Sequence, residues 1–476
     1  MSTAPIKFGT DGWRAIIADG YTLDNLDRVA CATALWVQDT YGAGASVVLG
    51  HDTRFMGDVF ADRVARRLAQ HGVQVHMAVG FVPTPAVSWG TLECDADAGI
   101  VITASHNPPH YNGFKLKADF GGPAPPDMVR AVETRLASVE VPATLPTRGE
   151  MEAEGTIHPF DLSAQFQEAL RSTLDIEAIQ ASGLKVAHDP MFGAGQGLVT
   201  GLLGDAQVTT LHHEVNPGFQ GTPPEPIARN LDALSACIRE HDLDAGLAND
   251  GDADRIGMFD ENGDFVTSHL ILSLLVKYLH EERGLSGSIV KTFSTTHMLD
   301  KMAAAYDLPI ETTPIGFKYI ASKMADGDVL VGGEESGGIA AKGHIPERDG
   351  VYIGLLIVEM MVKRGKPLSA LVDELYDEFG PHHTYRDDLH ITDGQKAAAL
   401  ERLSEGGGLT EVNGESVVEL QTLDGFKHIT ETGWLLIRPS GTEPVLRVYS
   451  EATSPEAAKA LVKDASDQLG FAEAAH

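Results

Sequence analysis

Ser105, His106, Asn107, His110, Asn112 and Lys115 put a hydroxyl, two imidazoles, two amides and an amine into one short stretch, directly after the apolar run Ala98-Gly99-Ile100-Val101-Ile102. That order reads as a strand delivering a polar loop. A serine hydroxyl does not ionise near neutral pH. As a nucleophile it needs a base or a metal, and otherwise it must carry a phosphoryl group that it donates. Pro108 and Pro109 restrict the backbone just after Asn107, which suits a loop that must hold one geometry. An ordinary polar turn built on the two prolines has the same composition.

A second cluster is acidic. Asp250, Asp252 and Asp254 recur at i, i+2 and i+4 in the run Asn249-Asp250-Gly251-Asp252-Ala253-Asp254-Arg255. Three carboxylates brought together this way call for a cation, and hard oxygen ligands select Mg²⁺ or Ca²⁺. Asp250, Asp252, Asp254 and Glu261 also match four positions of a calcium EF-hand loop. However, Arg255 stands where that loop needs glycine, and the flanks at 245–248 and 256–260 read as strands. Three protein carboxylates leave Mg²⁺ partly open, with room for a phosphate oxygen.

Two further loops are polar and glycine-rich. Gly332-Gly333-Glu334-Glu335-Ser336-Gly337-Gly338 exposes carboxylates and a hydroxyl that suit sugar hydroxyls. Arg438-Pro439-Ser440-Gly441-Thr442-Glu443-Pro444 combines one fixed positive charge, two hydroxyls and a tight turn, a plausible anion cradle. His382 and His383 have no second ligand cluster and read as a solvated loop.

In order along the chain, Thr103-Ala104-Ser105-His106-Asn107-Pro108, Asp250-Gly251-Asp252-Ala253-Asp254-Arg255, the Glu334 loop and the Arg438 loop resemble the signatures of the α-D-phosphohexomutases. This group holds phosphoglucomutase, phosphomannomutase and phosphoglucosamine mutase, and the resemblance covers nearly the whole chain. It implies that Ser105 carries the transferred phosphoryl group, and that Asp250, Asp252, Asp254 and Ser105 hold Mg²⁺. Arg255 adds positive charge, Lys115 is the general acid/base, with its pKa lowered by positive neighbours, and His106 is auxiliary. Glu334, Ser336 and Lys318 are assigned to the sugar, and Arg438, Ser440, Gly441, Thr442 and Arg14 to phosphate. A sugar 1,6-bisphosphate is the implied intermediate and activator.

The implied reaction interconverts sugar 1-phosphate and 6-phosphate, with glucose and mannose foremost. Other branches have histidine where this chain has Phe317 and Gly338, so the resemblance is strongest to the phosphoglucomutase side. Phosphopentomutase and phosphoglucosamine mutase are the alternatives within the class. Outside it stands a magnesium-dependent phosphatase resolving a phosphoserine with water.

These loops need a scaffold, and 476 residues exceed a single core at about 150 residues per domain. Helices at 23–41 and 57–71 alternate with strands at 46–50, 74–79 and 98–102, the pattern of an α/β layer. The expected division is 1–148 with the serine loop, 149–258 with the acidic loop, 259–379 with the sugar loop and 380–476 with the phosphate loop. The resemblance implies three similar mixed α/β domains and a smaller C-terminal α+β domain around a central active-site cleft.

Acidic residues number 68 against 36 Lys plus Arg, a formal charge of −32. Such a surface repels nucleic acid and anionic membranes, so neither is an expected partner. No apolar run approaches the about 20 residues of a membrane span, and the first residues carry no apolar signal core. The three cysteines are far apart. The expectation is a cytoplasmic monomer or homodimer acting on a sugar phosphate, from a salt-adapted source.

Overall fold

The computed structural model describes residues 6–9, 11–440 and 445–471. The chain divides into two compact units, Met1–Gly287 with Gly316–Leu371, and Ser288–Ile315 with Val372–His476.

The first unit opens with β1 (Trp13–Ile16), α1 (Leu23–Tyr41), β2 (Ser46–His51), α2 (Gly57–Gln70), β3 (Gln74–Ala78), α3 (Thr84–Glu93), β4 (Ala98–Ile102) and β5 (Tyr111–Ala118). Thr22 starts α1 by accepting a hydrogen bond from the Asn25 amide, one of the helix's otherwise unpaired donors. Leu26, Val29, Ala30, Thr33 and Val37 then recur at helical spacing and are buried. Leu26→Ala would cost about 2–5 kcal/mol in this core. Both Arg63 and Arg67 of α2 reach Asp27 of α1 at 2.7 Å, tying the two helices beside their apolar seam.

The first sheet runs β1-β5-β4-β2-β3 and then takes in β6 (Ile157–Phe160), parallel to β3 and beyond the expected boundary at 148. Proline and threonine at 142–146 read as a linker, yet Arg66 and Arg67 donate to the carbonyls of Pro146, Pro142 and Thr144 and hold it down. The central strands β2 and β4 are parallel, with His51 opposite Ile102. Their carboxyl ends therefore emerge side by side, where open α/β sheets bind ligands.

The second sheet joins β7 (Val186–Asp189), β8 (Val208–Thr210), β9 (Ala245–Asn249), β10 (Ile256–Phe259) and β11 (Phe265–Val266) in the order β11-β10-β9-β7-β8. Because β9 and β10 are antiparallel with Asn249 opposite Ile256, the acidic loop is a tight hairpin connection. The turn at Asp260–Asp264 follows, closed by the Asp260 amide on the Asp264 carbonyl at 3.0 Å. The sugar loop is also a hairpin, between strands Val329–Gly333 and Ile339–Ala341. Behind it lie two helices, Ser268–Glu281 and Gly350–Arg364, buried over most of their length.

In the second unit, strands His383–His390, Glu419–Gln421, Phe426–Ile429, Trp434–Pro439 and Val445–Ala452 form an antiparallel sheet packed on helices Asp393–Glu405 and Pro455–Leu469. Ser454 caps the latter helix by accepting from the Ala457 amide. The same unit contains the parallel pair Ser288–Thr292 and Ile310–Thr313. The solvated-loop expectation for His382 is corrected here. Its Nδ1 meets the buried Glu451 carboxylate at 2.9 Å, which also accepts from Trp434 Nε1 at 3.1 Å. Among the described residues no helix is long and apolar enough to cross a membrane.

Candidate active site

Ser105 follows β4, fully buried and with a left-handed backbone (φ 52°) that L-residues adopt only when held there. Its amide donates to Thr103 Oγ1 at 2.8 Å and its hydroxyl donates to Asp250 Oδ2 at 2.7 Å. His106 Nδ1 lies 3.2 Å from the same Oγ. Burial first, and then the cations Arg255, Arg14, Lys115 and Arg54, hold the His106 imidazole well below its ordinary pKa, and so neutral.

The acidic hairpin brings carboxylate oxygens of Asp250, Asp252 and Asp254 within 4.8 Å of one another. All three side chains are buried. Burial together with the charges of Asp252 and Asp254 pushes Asp250 well above the usual carboxylate range. Burial also opposes the charge on Asp252, but the ammonium of Lys115 and the hydroxyl of Thr84 outweigh it and hold that carboxyl below the usual range. Asp252 Oδ1 and Asp254 Oδ1 are buried and accept no hydrogen bond. Two such orphaned anionic oxygens beside a third carboxylate are the donor set of a hard divalent cation, so the residues fit a metal.

Lys115 lies beneath this loop, with Nζ 2.7 Å from Asp252 Oδ2, 2.8 Å from Asp254 Oδ2 and 2.8 Å from Asp11 Oδ2. The expectation of an amine depressed by positive neighbours is corrected. Burial does lower its pKa, but Asp11, Asp252 and Asp254 overcome that and hold it above the ordinary value, so the amine is protonated. Arg255 adds its charge beside His106 and Asp250; its amide donates to Asp250 Oδ1 at 3.1 Å and its guanidinium reaches Glu225 at 3.6 Å. Arg14 does reach the serine loop, donating to Asn107 Oδ1 at 2.8 Å.

Glu334 is buried at the sugar hairpin, where burial, against the charge of Arg348, raises its carboxyl to about 7. It accepts from the Gly316 amide at 3.0 Å. Ser336 is half-buried in the turn of that hairpin, and Lys318 lies over the Tyr319 ring at 5.4 Å. In the second unit, Arg438 Nε donates to Asp424 Oδ1 at 3.1 Å and the Ser440 amide to the Val445 carbonyl at 2.9 Å. Gly441 and Thr442 lie outside the described residues.

Three participants escaped the sequence reading. Arg348 Nη2 bridges Asp11 Oδ2 at 2.8 Å and Asp254 Oδ2 at 2.7 Å, and its guanidinium lies over Phe317 at 5.3 Å. A Cβ on Gly338 would come within 2.4 Å of Arg348 Cδ, so the absence of a side chain there is what admits the arginine. Asp11 joins Lys115 to Arg348, and Thr84 braces Asp252. A lone aspartate, arginine or threonine gives no such signal in the sequence.

Four family models cover this chain: domains I, II and III, each an α/β/α domain of phosphoglucomutase/phosphomannomutase, at residues 5–142, 164–263 and 267–379, and the C-terminal domain at 389–468. The chain belongs to the phosphoglucomutase/phosphomannomutase family. The phosphoglucomutase/phosphomannomutase of Thermococcus kodakarensis is 32% identical over 95% of this chain and 96% of its own. The phosphoglucosamine mutase of Geobacillus thermodenitrificans is 30% identical over 97% of this chain and 98% of its own. The crystal structure of a putative phosphomannomutase from Thermus thermophilus superposes with a TM-score of 0.86 at 34% identity, covering 98% of this chain and all of that one. As a member of this phosphohexomutase family the chain is an isomerase of the phosphosugar mutase type.

Proposed function

We propose that this mutase interconverts the 1- and 6-phosphates of glucose or mannose through a phosphoserine at Ser105. The observation that carries the reading is the buried hydrogen bond from Ser105 Oγ to Asp250 Oδ2 at 2.7 Å, inside a carboxylate set with two orphaned oxygens. Asp250, Asp252, Asp254 and an oxygen on Ser105 would hold Mg²⁺, which supplies the Lewis-acid charge that phosphoryl transfer requires.

In the first half-reaction the phosphorus–Oγ bond of Ser105 breaks while a new bond forms to the free hydroxyl oxygen of a sugar monophosphate. The hydroxyl proton leaves to a base and Oγ regains a proton. Lys115 is assigned as the general acid/base of these transfers, with His106, whose Nδ1 lies 3.2 Å from Ser105 Oγ, as auxiliary. The resulting sugar 1,6-bisphosphate turns end over end and returns its other phosphoryl to Ser105. The same bisphosphate added from outside acts as activator by loading Ser105. Arg438, Ser440, Gly441, Thr442 and Arg14 are assigned to phosphate, Glu334, Ser336 and Lys318 to the sugar, and Arg255 to the field around the transferred group.

The enzyme works in the cytoplasm as a monomer or homodimer, and its −32 charge fits a salty interior. Ser105→Ala tests the scheme: turnover is abolished while the circular dichroism spectrum is retained, and phosphopeptide mapping of the wild type places the phosphate on Ser105. Phosphate on any other residue sinks it. Steady-state rates with glucose, mannose, glucosamine and ribose phosphates rank the substrates, and a preference for glucosamine phosphate overturns the assignment to glucose or mannose.

A further inference from the structure

Arg54 follows β2, is 2% exposed, and spends its guanidinium on the serine loop. Nη2 donates to the carbonyls of Ser105 at 2.6 Å and Asn107 at 2.5 Å, and Nη1 to those of Pro108 at 2.9 Å and Tyr111 at 3.1 Å. Four backbone acceptors of one seven-residue segment converge on a single planar fork, and the Pro108 carbonyl also takes the Tyr111 amide at 3.1 Å. The plane lies over the Phe219 ring, 5.0 Å from its centroid.

Asp52 completes the arrangement. One of its oxygens accepts the Arg54 amide at 2.9 Å, and the other accepts Thr103 Oγ1 at 2.5 Å and faces Arg54 Nε at 3.4 Å. Thr103 Oγ1 in turn accepts the Ser105 amide. The amide and the carbonyl of Ser105 are thus both tied, through Thr103 and Arg54, to one buried carboxylate. Fixing both ends of the peptide sustains the left-handed φ of 52°, a conformation that costs about 1–2 kcal/mol for an L-residue. From that backbone the hydroxyl points at Asp250. The acidic hairpin accommodates the same carbonyl from the other side, since a Cβ on Gly251 would lie 2.5 Å from Ser105 O.

We propose that Arg54 is the positioning residue of the phosphoryl-carrying serine: its guanidinium gathers the carbonyls of residues 105 to 111 and so sets the line along which Ser105 Oγ faces its acceptor. This rests on Ser105 being the carrier. Misplacing reacting atoms by about 1 Å costs on the order of 100-fold in rate. Sugar-phosphate binding, assigned to other residues, is left alone.

The test uses full-length enzyme with Mg²⁺ and saturating glucose 1,6-bisphosphate, comparing wild type, Arg54→Lys and Phe219→Leu. Lysine keeps the charge but cannot present four coplanar N–H groups. The expected result for Arg54→Lys is a kcat lower by about 100-fold with KM for glucose 1-phosphate within about threefold of wild type. A role in stability alone predicts a lower melting temperature with kcat per folded molecule within about threefold of wild type, and that outcome overturns the proposal. If Arg54→Lys does not fold, Phe219→Leu decides, with kcat about fivefold lower expected and an unchanged kcat overturning the idea. Phosphopeptide mapping of the wild type separates the two claims. Phosphate elsewhere than Ser105 removes the carrier reading, whereas phosphate on Ser105 with a fully active Arg54→Lys removes only the positioning role.

Discussion

The hydroxyl of Thr84, first residue of α3, donates to Asp252 Oδ2 at 2.5 Å, and its amide donates to the Asp252 carbonyl at 2.9 Å. The start of α3 thereby grips the middle aspartate of the acidic hairpin in two places, once at its carboxylate and once at its backbone carbonyl. Groups that orient a metal-ligating carboxylate are typically worth 10- to 100-fold in affinity. Thr84→Val should therefore weaken Mg²⁺ binding by about 10-fold while activity largely recovers at saturating metal. Calorimetric Mg²⁺ titration with parallel rate measurements checks this, and wild-type affinity would refute it.

Asp252→Asn removes one of the three carboxylates proposed to hold Mg²⁺ and also one of those that balance the Lys115 ammonium, whose Nζ lies 2.7 Å away. Turnover should drop by about 100-fold or more at any metal concentration. Treatment of wild type with EDTA should give the same loss, reversed by Mg²⁺. Activity that survives chelation would exclude the metal.

Arg438 is oriented by Asp424, which accepts its Nε at 3.1 Å and the Ile315 amide at 2.9 Å. Arg438→Ala should raise KM for every sugar phosphate by about 10-fold or more, with a smaller loss in kcat because the bisphosphate presents each end there in turn. Initial-rate kinetics decide the point, and an unchanged KM counts against the assignment.

Glu451 supplies a pH test in the second unit. Burial disfavours its charge, but His382 and the neighbouring donors win and lower the carboxyl from 4.5 to about 2. A depressed carboxylate contributes stability that is complete above its unfolded pKa and disappears as pH falls through the folded one. The contribution is roughly 3 kcal/mol at neutral pH and falls to about half at pH 3. Urea melts of wild type and Glu451→Gln should show a gap at pH 6 that narrows toward pH 3. A gap independent of pH would contradict the assignment.

The charge of −32 predicts a response to salt. Self-repulsion destabilises the compact state, and screening relieves it as the Debye length shrinks from about 30 Å at 0.01 M to about 3 Å at 1 M. Thermal melts in low and molar KCl at constant Mg²⁺ should show a rising midpoint. A flat or falling midpoint would remove the case for salt adaptation.

The serine loop, the aspartate hairpin and the strands that deliver them were legible in the sequence because their chemistry is local. Ser105 lies three residues past β4, and Asp250, Asp252 and Asp254 share one turn. Hydrophobic periodicity likewise places α1 at Leu23–Tyr41, since burial of one helix face is decided by near neighbours in the chain. The contact between Asp11 and Arg348 spans 337 positions, and no local pattern marks a lone aspartate or arginine as partners. The protonation of Lys115 is likewise decided by residues distant in the chain. Its sign depends on Asp11, Asp252 and Asp254, which the fold alone brings within 2.8 Å of the amine, and at that range in a buried site the nearest charges outweigh burial and every more distant cation.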